Sequence, residues 1–143
     1  MEIPHINYLA VLVAGLVIFA LGGLWYSPVL FSKRWIALQG RTEEQMRADA
    51  AGANMPIMYA SVLICGLLTA WVLALIIAHL DPRVSMTTVH GALLGFLCWL
   101  GFAAATSYGR DLFSMRPRQL WLIDSTYNLV SFVLAGIILA AWR

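Results

Sequence analysis

The sequence predicts an all-α, polytopic integral membrane protein with four transmembrane helices, and three observations support that fold class. Of the 143 residues, 62% are hydrophobic and 11% are charged, whereas soluble domains are about 45–50% apolar and about 25% charged. Four apolar segments are each long enough to cross roughly 30 Å of hydrocarbon as a helix. The connections between them are too short for a soluble domain, so we expect residues 1–143 to form a single four-helix transmembrane domain.

The apolar segments place the four transmembrane helices at about residues 6–26, 56–80, 88–108 and 120–142. We expect the first helix to be retained rather than cleaved as a signal peptide, because no Lys or Arg precedes it and it ends in WYSP. The two cysteines both fall near the middle of predicted helices, where they are typical of small packing residues.

The distribution of basic residues predicts how the helices are oriented. Seven of the nine Lys and Arg residues lie in the linkers 27–55 and 109–119, and the other two are Arg83 and Arg143. The positive-inside rule therefore places both linkers in the cytoplasm and both the N-terminus and the C-terminus outside. Because these charges lie beside helix ends, we expect the lipid bilayer as a partner and no nucleic acid.

The cytoplasmic linker 27–55 predicts short helices of its own. Its stretch PVLFSKRWIALQ combines aromatic and basic residues below spanning length, which indicates an interfacial helix with Ser27 as its N-cap. Thr42 and Gln45 fit a capping box that begins a second, polar helix. The linker is either a solvated connector or a docking surface for a cytoplasmic partner.

Small residues at every fourth position predict close packing of helices. The second helix has the most regular stripe of this kind, and the third has two pairs, of which Gly101 with Ala105 is the second. Such faces pack within one subunit or between subunits, and their number leads us to expect a homo-oligomer. The helix-packing residues predicted with most weight are Gly66, Ala70, Ala74, Ala78, Gly91 and Gly95.

Asp124 is the centre of the predicted binding site, because it is the charged residue that lies clearly inside a predicted helix. A carboxylate inside a bilayer is unfavourable unless it faces protein or water. Polar residues also gather at the cytoplasmic ends of the other helices, which predicts a polar vestibule open to the cytoplasm. The predicted substrate-binding or ion-binding residues are Asp124, Asn128, Ser131, Tyr127, Tyr26 and Tyr108.

An alternative is that Asp124 has a purely structural role. The hydroxyl groups would then bond backbone carbonyls of their own helices, and Asp124 would pair with Arg116 or Arg118. We favour the vestibule, because Asn128 and Ser131 lie on the same helix face as Asp124 and extend the polar stripe deeper than an arginine could follow.

No sequence motif indicates catalysis, a metal or a cofactor. The chain lacks the G-x-S-x-G, P-loop, H-E-x-x-H and dinucleotide fingerprints, and one carboxylate with nearby hydroxyls is not a nucleophile–base pair. His5, His79 and His90 all fall at the outer boundary of the predicted helices, but their spacing matches no metal-ligand motif. We therefore expect a protein that is not an enzyme, with no catalytic residues, no metal and no cofactor.

Four stretches of the sequence carry a resemblance to a known family: GGLWYSP at 22–28, FSKRW at 31–35, GALLGFLCWLGFAAAT at 91–106 and LWLIDSTYNLV at 120–130. Over nearly its whole length, the chain resembles the small four-helix bacterial membrane proteins named domain of unknown function seventeen-sixty-one. The resemblance implies a bacterial inner (cytoplasmic) membrane location and directs attention to WYSP and to Asp124. It implies no activity and transfers no catalytic residues.

Two functions of different classes fit these observations. The first is an oligomeric carrier or channel-like protein whose cytoplasm-facing vestibule around Asp124 binds a small solute, a proton or a cation. The second is a non-catalytic partner or assembly subunit that docks another integral membrane protein through its glycine faces and interfacial helix. Lipid handling or maintenance of the cell envelope is a third, less specific alternative.

Overall fold

The computed structural model describes residues 5–80 and 86–142, and every regular element within them is a helix. The elements in chain order are α1 (Tyr8–Trp25), α2 (Ser32–Leu38), α3 (Glu43–Gly52), α4 (Met55–His79), α5 (Thr88–Cys98), the π-helical segment π1 (Trp99–Ala104), α6 (Ala105–Phe113) and α7 (Arg118–Ala141). Four helices are long and apolar enough to cross a membrane: α1, α4, the continuous helix α5–π1–α6, and α7. The predicted all-α fold with four helices of spanning length is confirmed.

The third long helix differs most from its predicted bounds. It continues to Phe113 instead of ending near residue 108. Its last turns are polar, and Asp111 is buried there with arginine side chains as partners. The π1 segment also interrupts the α-helical pattern of this helix, which the sequence periodicity does not predict.

The chain between α1 and α2 forms a turn rather than the start of a helix. Because α2 begins only at Ser32, the predicted N-cap at Ser27 is wrong. The Ser27 hydroxyl donates to the carbonyl oxygen of Leu24 at 2.7 Å, so it closes the last turn of α1 instead of beginning a new helix. The predicted capping box of Thr42 and Gln45 is confirmed at the start of α3.

The bundle has two chemically different ends. At the terminal end, Asn7 before α1 donates from Nδ2 to the carbonyl oxygen of Trp142 after α7 at 3.0 Å. Asn7 also caps α1, because its Oδ1 accepts from the backbone N–H groups of Leu9 and Ala10. The opposite end, where α1 leads into α2 and α6 leads into α7, is the linker end.

Helix α7 is at the centre of the bundle, because it packs against α5, α1 and α4. Helix α1 also packs against α4, through a core of small and aliphatic side chains. Gly66, Ala70 and Ala74 of α4 are buried, and Ala78 packs at the edge of this core. A Cβ atom at Gly66 would lie 3.2 Å from the carbonyl oxygen of Gly15 in α1. The small-residue stripe of the second long helix therefore packs within the chain.

Helices α5 and α7 approach so closely that their backbones are in contact. A Cβ atom at Gly91 would overlap the carbonyl oxygen of Gly136, and one at Gly136 would overlap the carbonyl oxygen of Gly91. One turn further along α5, a Cβ atom at Gly95 would overlap the carbonyl oxygen of Phe132. Only glycine fits at these positions, so Gly91 and Gly95 also serve a contact within the chain.

Candidate functional site

Asp124 lies in the second turn of α7 at the linker end, and its carboxylate accepts hydrogen bonds from two other parts of the chain. The Tyr26 hydroxyl donates to Oδ1 at 2.8 Å, and the Trp35 indole N–H donates to the same oxygen at 2.9 Å. The Arg116 guanidinium lies 3.8 Å from Oδ2. Because the Asp124 side chain is 30% exposed, solvent partly screens this ion pair.

The turn after α1 positions the two donors. Trp25 donates its indole N–H to the carbonyl oxygen of Ile123 at 3.1 Å, and the Phe31 ring packs against Trp25 with the ring centres 4.9 Å apart. The rings of Tyr26 and Trp35 then meet edge to face, with their centres 5.4 Å apart. The WYSP turn therefore reverses the chain so that Tyr26 and Trp35 reach the same carboxylate oxygen.

Tyr26 is the hydrogen-bond donor in its contact with Asp124. Burial, and after it the hydrogen bond to the Asp124 carboxylate, raise the pKa of the Tyr26 phenol far above its ordinary value. The hydroxyl therefore keeps its hydrogen. A hydrogen bond from a neutral donor to an ionised carboxylate is stronger than one between two neutral groups.

A second carboxylate, Asp111 near the end of α6, shares Arg116 with Asp124. The Asp111 side chain is only 5% exposed and lies 3.4 Å from Arg116 and 3.1 Å from Arg110. Two carboxylates and two guanidinium groups thus form one charge-balanced cluster, which is how proteins accommodate buried charge. Asp111 was not among the predicted site residues, because the predicted third helix ends before it.

The loop between α6 and α7 directs Arg116 back toward both carboxylates. The Arg116 backbone N–H donates to the carbonyl oxygen of Asp111, and that of Met115 donates to Leu112, which is the Schellman pattern of a helix C-terminus. Met115 has φ of 53°, the left-handed conformation in which glycine is usual. Helix α2 ends in the same pattern, with Gly40 at φ of 69°. The loop before α7 has no glycine that could have predicted this turn.

Two further tryptophans connect α7 to the third long helix. Trp99 of π1 donates its indole N–H to the carbonyl oxygen of Ser125 at 2.9 Å. Trp121 of α7 donates in the opposite direction, to the Ser107 hydroxyl of α6 at 3.0 Å. An indole has one donor and a large apolar surface, so it can bond a polar atom while it packs among apolar side chains. The sequence shows where the tryptophans are but not which atoms they bond.

The predicted tyrosines lie in different surroundings. The Tyr127 hydroxyl donates to the carbonyl oxygen of Ile18 in α1 at 3.2 Å, and the Tyr127 ring lies 5.5 Å from the ring of Tyr26. Tyr108 instead packs its ring against Trp121 with the ring centres 4.9 Å apart. Tyr26 and Tyr127 are therefore neighbours, while Tyr108 joins the contact between α6 and α7.

The deeper residues of the predicted polar stripe take no part in the carboxylate cluster. Asn128 is half-buried, and Ser131 is 3% exposed. The Ser125 hydroxyl oxygen has no hydrogen-bond partner in the part of the chain that the structure describes, whereas the Ser131 hydroxyl contacts the Tyr127 phenol. The structure thus brings Tyr26, Tyr127 and Asp124 together, whereas Asn128 and Ser131 lie further along α7.

The histidines have local partners at the terminal end. His79 Nδ1 lies 2.7 Å from the carbonyl oxygen of Leu75, and His90 Nδ1 lies 2.8 Å from the Thr87 hydroxyl oxygen. His5 is exposed before α1. Within residues 5–80 and 86–142, no three His, Cys, Asp or Glu side chains are grouped so that they could hold a metal ion.

An open groove of about 360 Å³ lies beside the cluster, between α1, α4 and α7. Tyr26 belongs to both features, because it lines the groove and its hydroxyl bonds Asp124. Asp124 itself does not line the groove, so Tyr26 is its connection to that space. The residues that line the groove are Phe19, Gly22, Gly23, Tyr26, Tyr59, Val62 and Tyr127.

These features define a small helical protein with four long apolar helices and a charge-balanced carboxylate cluster at one end of the central helix. The chain belongs to the family described as "Protein of unknown function (DUF1761)", whose family model matches residues 9–140. The resemblance carried by the WYSP and LWLIDSTYNLV stretches is thereby confirmed. No curated protein and no solved structure matches the chain.

Proposed function

We propose that this chain is a bacterial inner-membrane protein that crosses the membrane four times, with the linker end in the cytoplasm and both termini outside. The four long apolar helices support insertion into a bilayer, as do the large apolar side chains exposed along them, among them Leu12, Leu16 and Leu68. The arginines of the carboxylate cluster lie at the linker end, which supports its cytoplasmic position under the positive-inside rule.

Labelling of single cysteines tests this orientation. In a background with Cys65 and Cys98 replaced by alanine, a cysteine is introduced at the exposed Ala48 of α3 or at Leu80 after α4. A membrane-impermeant thiol reagent added to spheroplasts should label Leu80→Cys and not Ala48→Cys, and both should react once the membrane is opened. The reverse pattern would contradict the proposed orientation.

We further propose that the protein is an oligomeric carrier or channel-like protein that binds a small solute, a proton or a cation at the tyrosine-lined groove. The observation that carries this proposal is the hydrogen bond from Tyr26 to Asp124, which joins an ionisable carboxylate to the wall of an open groove. Ionisable residues within membrane proteins commonly mark pathways for ions and substrates. The proposed role is non-catalytic and requires no cofactor.

Protonation of Asp124 is the step that would couple a proton to the groove. A neutral carboxyl group accepts less strongly from Tyr26 and Trp35, and it no longer attracts Arg116. The turn between α1 and α2, which includes Tyr26, would then be held less firmly against α7. Arg116 would keep Asp111 as its partner at 3.4 Å, so the guanidinium is not left unpaired in the protonated state.

Proton movement in proteoliposomes tests this proposal. Vesicles that contain a pH-sensitive dye are given gradients of choline, glucose or benzoate, which represent cationic, neutral and anionic solutes. We expect the wild-type protein to couple at least one gradient to a change in internal pH. Asp124→Asn should abolish that change, because the amide keeps an acceptor oxygen but cannot take up and release a proton. The matched control is Asp49→Asn on the exposed helix α3, which should behave as wild type.

Two outcomes would contradict the carrier proposal. One is a wild-type signal equal to that of empty vesicles for all three solutes. The other is full coupling in Asp124→Asn, because the carboxylate would then have no part in the transport step.

Self-association forms part of the proposal. The small residues of α4 and α5 are used within the chain, whereas Gly101 and Ala105 are exposed, and a Cβ atom at Gly101 would meet open space. We therefore place the contact between copies on this face. Light scattering of the detergent-solubilised protein should give a multiple of the 15.8 kDa chain mass, and Ala105→Trp should reduce it. A wild-type monomer would contradict the oligomer.

A second candidate function is that of a non-catalytic subunit that docks another integral membrane protein. It is favoured by α2 and α3, neither of which buries a residue, and by an open groove of about 520 Å³ between them that is lined in part by Met46. A photo-crosslinking residue at Met46 should then form an adduct with one membrane protein, while the same residue at Ala48 should not. Adducts from neither position, together with solute-coupled proton flux, would exclude this alternative.

A further inference from the structure

We infer that the tyrosine-lined groove takes an organic cation, a molecule with an ammonium group and apolar substituents. The inference rests on the proposed function and names the chemical class of its substrate. It follows from the hydrogen-bond acceptors and aromatic rings that line the groove and from the lack of lysine and arginine among the lining residues.

The groove offers acceptors more readily than donors. Tyr26 gives its hydroxyl hydrogen to Asp124, and Tyr127 gives its hydroxyl hydrogen to the carbonyl oxygen of Ile18. Neither Asp124 nor Ile18 lines the groove, so these two tyrosines present oxygen lone pairs and ring surfaces to its interior. A ligand that needs several hydrogen-bond donors, such as a carboxylate or a phosphate, would find both of these hydroxyl hydrogens already used, and among the tyrosines of the groove only Tyr59 could donate to it.

The aromatic rings supply surfaces that attract positive charge. Tyr26 and Tyr127 lie with their ring centres 5.5 Å apart, and Phe19 and Tyr59 form a second pair at 6.4 Å, both edge to face. All four residues line the groove. The face of an aromatic ring attracts a cation, and groups of such rings are the usual sites for quaternary ammonium ligands.

No cationic side chain of the lining opposes the entry of a cation. The seven residues that line the groove include no lysine and no arginine. The Tyr26 hydroxyl connects the groove to one charged group by a hydrogen bond, and that group is the Asp124 carboxylate. The guanidinium of Arg116 lies 3.8 Å from Asp124 Oδ2, whereas the Tyr26 phenol bonds Oδ1.

Two glycines line the groove, and only one of them, Gly23, has no neighbouring atom that would clash with a side chain. Gly22 lies against Tyr127, since a Cβ atom there would be 3.1 Å from the Tyr127 hydroxyl oxygen. Gly23, the next residue, also lines the groove, but a Cβ atom at that position would meet open space. A larger side chain at Gly23 should therefore fill the groove without disturbing the bundle.

Binding of choline to the purified full-length protein, measured by calorimetry in detergent, tests the inference. The comparison ligand is the uncharged isostere of choline, in which carbon replaces the nitrogen atom. We expect choline to bind about tenfold more tightly than its isostere, because only choline carries the charge that the rings attract. Equal binding of the two ligands, or tighter binding of benzoate, would overturn the inference.

Three variants locate the binding site. Gly23→Leu should abolish choline binding, and Tyr59→Leu should weaken it because one aromatic ring of the groove is lost. Tyr59 is 56% exposed, so we expect its replacement to leave the bundle folded. The matched control is Gly52→Leu, at a helical glycine of α3 that also faces open space and lies outside the groove. Wild-type binding in both Gly23→Leu and Tyr59→Leu would place any choline site elsewhere and overturn the inference.

The ammonium group could belong to a free solute or to a phospholipid headgroup, and competition separates these sources. A short-chain phosphatidylcholine that displaces choline, where the matching phosphatidylglycerol does not, would identify the lipid headgroup. If neither lipid displaces choline, the ligand is the free cation. The outcomes for binding and for transport are independent: coupled flux of glucose or benzoate without choline binding defeats only this inference, whereas choline binding without any coupled flux defeats only the carrier function.

Discussion

The two halves of α7 are held by opposite kinds of contact. Near the terminal end, Gly136 lies against Gly91 of α5 with backbone on backbone and no side chain between them. At the linker end, Asp124 is held by the side chains of Tyr26, Trp35 and Arg116, which reach it across several ångströms of side chain. The glycine contact requires that neither residue has a Cβ atom, and the Asp124 contact requires particular polar atoms.

This difference indicates where the protein tolerates change. A glycine contact is stabilised by dispersion over closely matched surfaces, and it has no spare volume for an added methyl group. A hydrogen-bonded carboxylate can lose one partner and retain others, and partial exposure lets water replace a lost donor. The terminal half of α7 is therefore the half that tolerates no added side chain, and the linker end is the half that can lose one contact and keep the others.

The largest effect should come from filling the glycine contact. Gly136→Leu would drive a side chain into the carbonyl group of Gly91, and we expect it to destabilise the protein by at least about 3 kcal/mol, because backbone atoms must move to make room. Thermal unfolding in detergent, followed by circular dichroism, measures this. Gly23→Leu is the control and should melt as wild type. A wild-type melting temperature for Gly136→Leu would show that α5 and α7 do not meet in this way.

Removal of the carboxylate should have the next largest effect. Asp124→Leu leaves Tyr26 and Trp35 without their acceptor, and we expect a loss of about 2 kcal/mol, since a bond to a charged group contributes more than a neutral one and partial exposure reduces the loss. Asp124→Asn should be milder because one acceptor oxygen remains. The same thermal melt compares them. Equal stability of Asp124→Leu and wild type would refute the idea that this cluster holds the linker end together.

A smaller effect is expected when one donor of the cluster is removed and its ring is retained. Trp35→Phe deletes the indole N–H that reaches Asp124 but keeps an aromatic ring beside Tyr26, and we expect a loss of about 1 kcal/mol. The measurement should be made in wild type and in Asp124→Leu as a double-mutant cycle. Additive losses in that cycle would mean that Trp35 acts through packing alone.

The smallest effect concerns the turn that directs Arg116 to the two carboxylates. Met115→Gly places the usual residue at φ of 53°, and relief of the left-handed strain should stabilise the protein by less than about 1 kcal/mol, since glycine also gains freedom in the unfolded chain. Gly40→Ala, at the matching position after α2, should have the opposite sign. If Met115→Gly were destabilising, the exposed Met115 side chain would have to contribute a contact of its own.

Much of the fold follows from one-dimensional features of the chain. The lengths of the apolar segments predict the four long helices, and the spacing of Thr42 and Gln45 predicts the cap of α3. These features are local, because an apolar run of sufficient length or a side chain three residues from an unpaired N–H determines them without reference to the rest of the molecule. The small-residue spacing of Gly91 and Gly95 likewise indicates a close contact, although not which helix provides the other side.

The candidate site was predicted only in part, because its members meet through distant segments. Asp124 is conspicuous as a charge inside an apolar run, and Tyr26 as the start of the WYSP turn. Arg116 was expected as a possible partner of Asp124, and the structure brings the two within 3.8 Å. Trp35 and Asp111 carried no comparable signal, since tryptophans and charged residues are ordinary at the ends of membrane helices. The misplaced N-cap at Ser27 has the same origin, because the hydroxyl bonds back to α1 once Trp25 and Tyr26 are anchored on α7.

By itself, the sequence determined the number of long helices, their apolar character and the presence of one carboxylate that needs partners. Only the tertiary structure decided that α7 is the central helix, that Gly136 is the counterpart of Gly91, and that Asp124 reaches the groove through Tyr26. The physical reason is the range of the interactions. Helix formation and hydrophobic burial depend on neighbouring residues and on composition, whereas a hydrogen bond or a backbone contact requires two particular atoms within a few ångströms. Residues as far apart in the chain as Tyr26 and Asp124 acquire that proximity only when the whole bundle has formed.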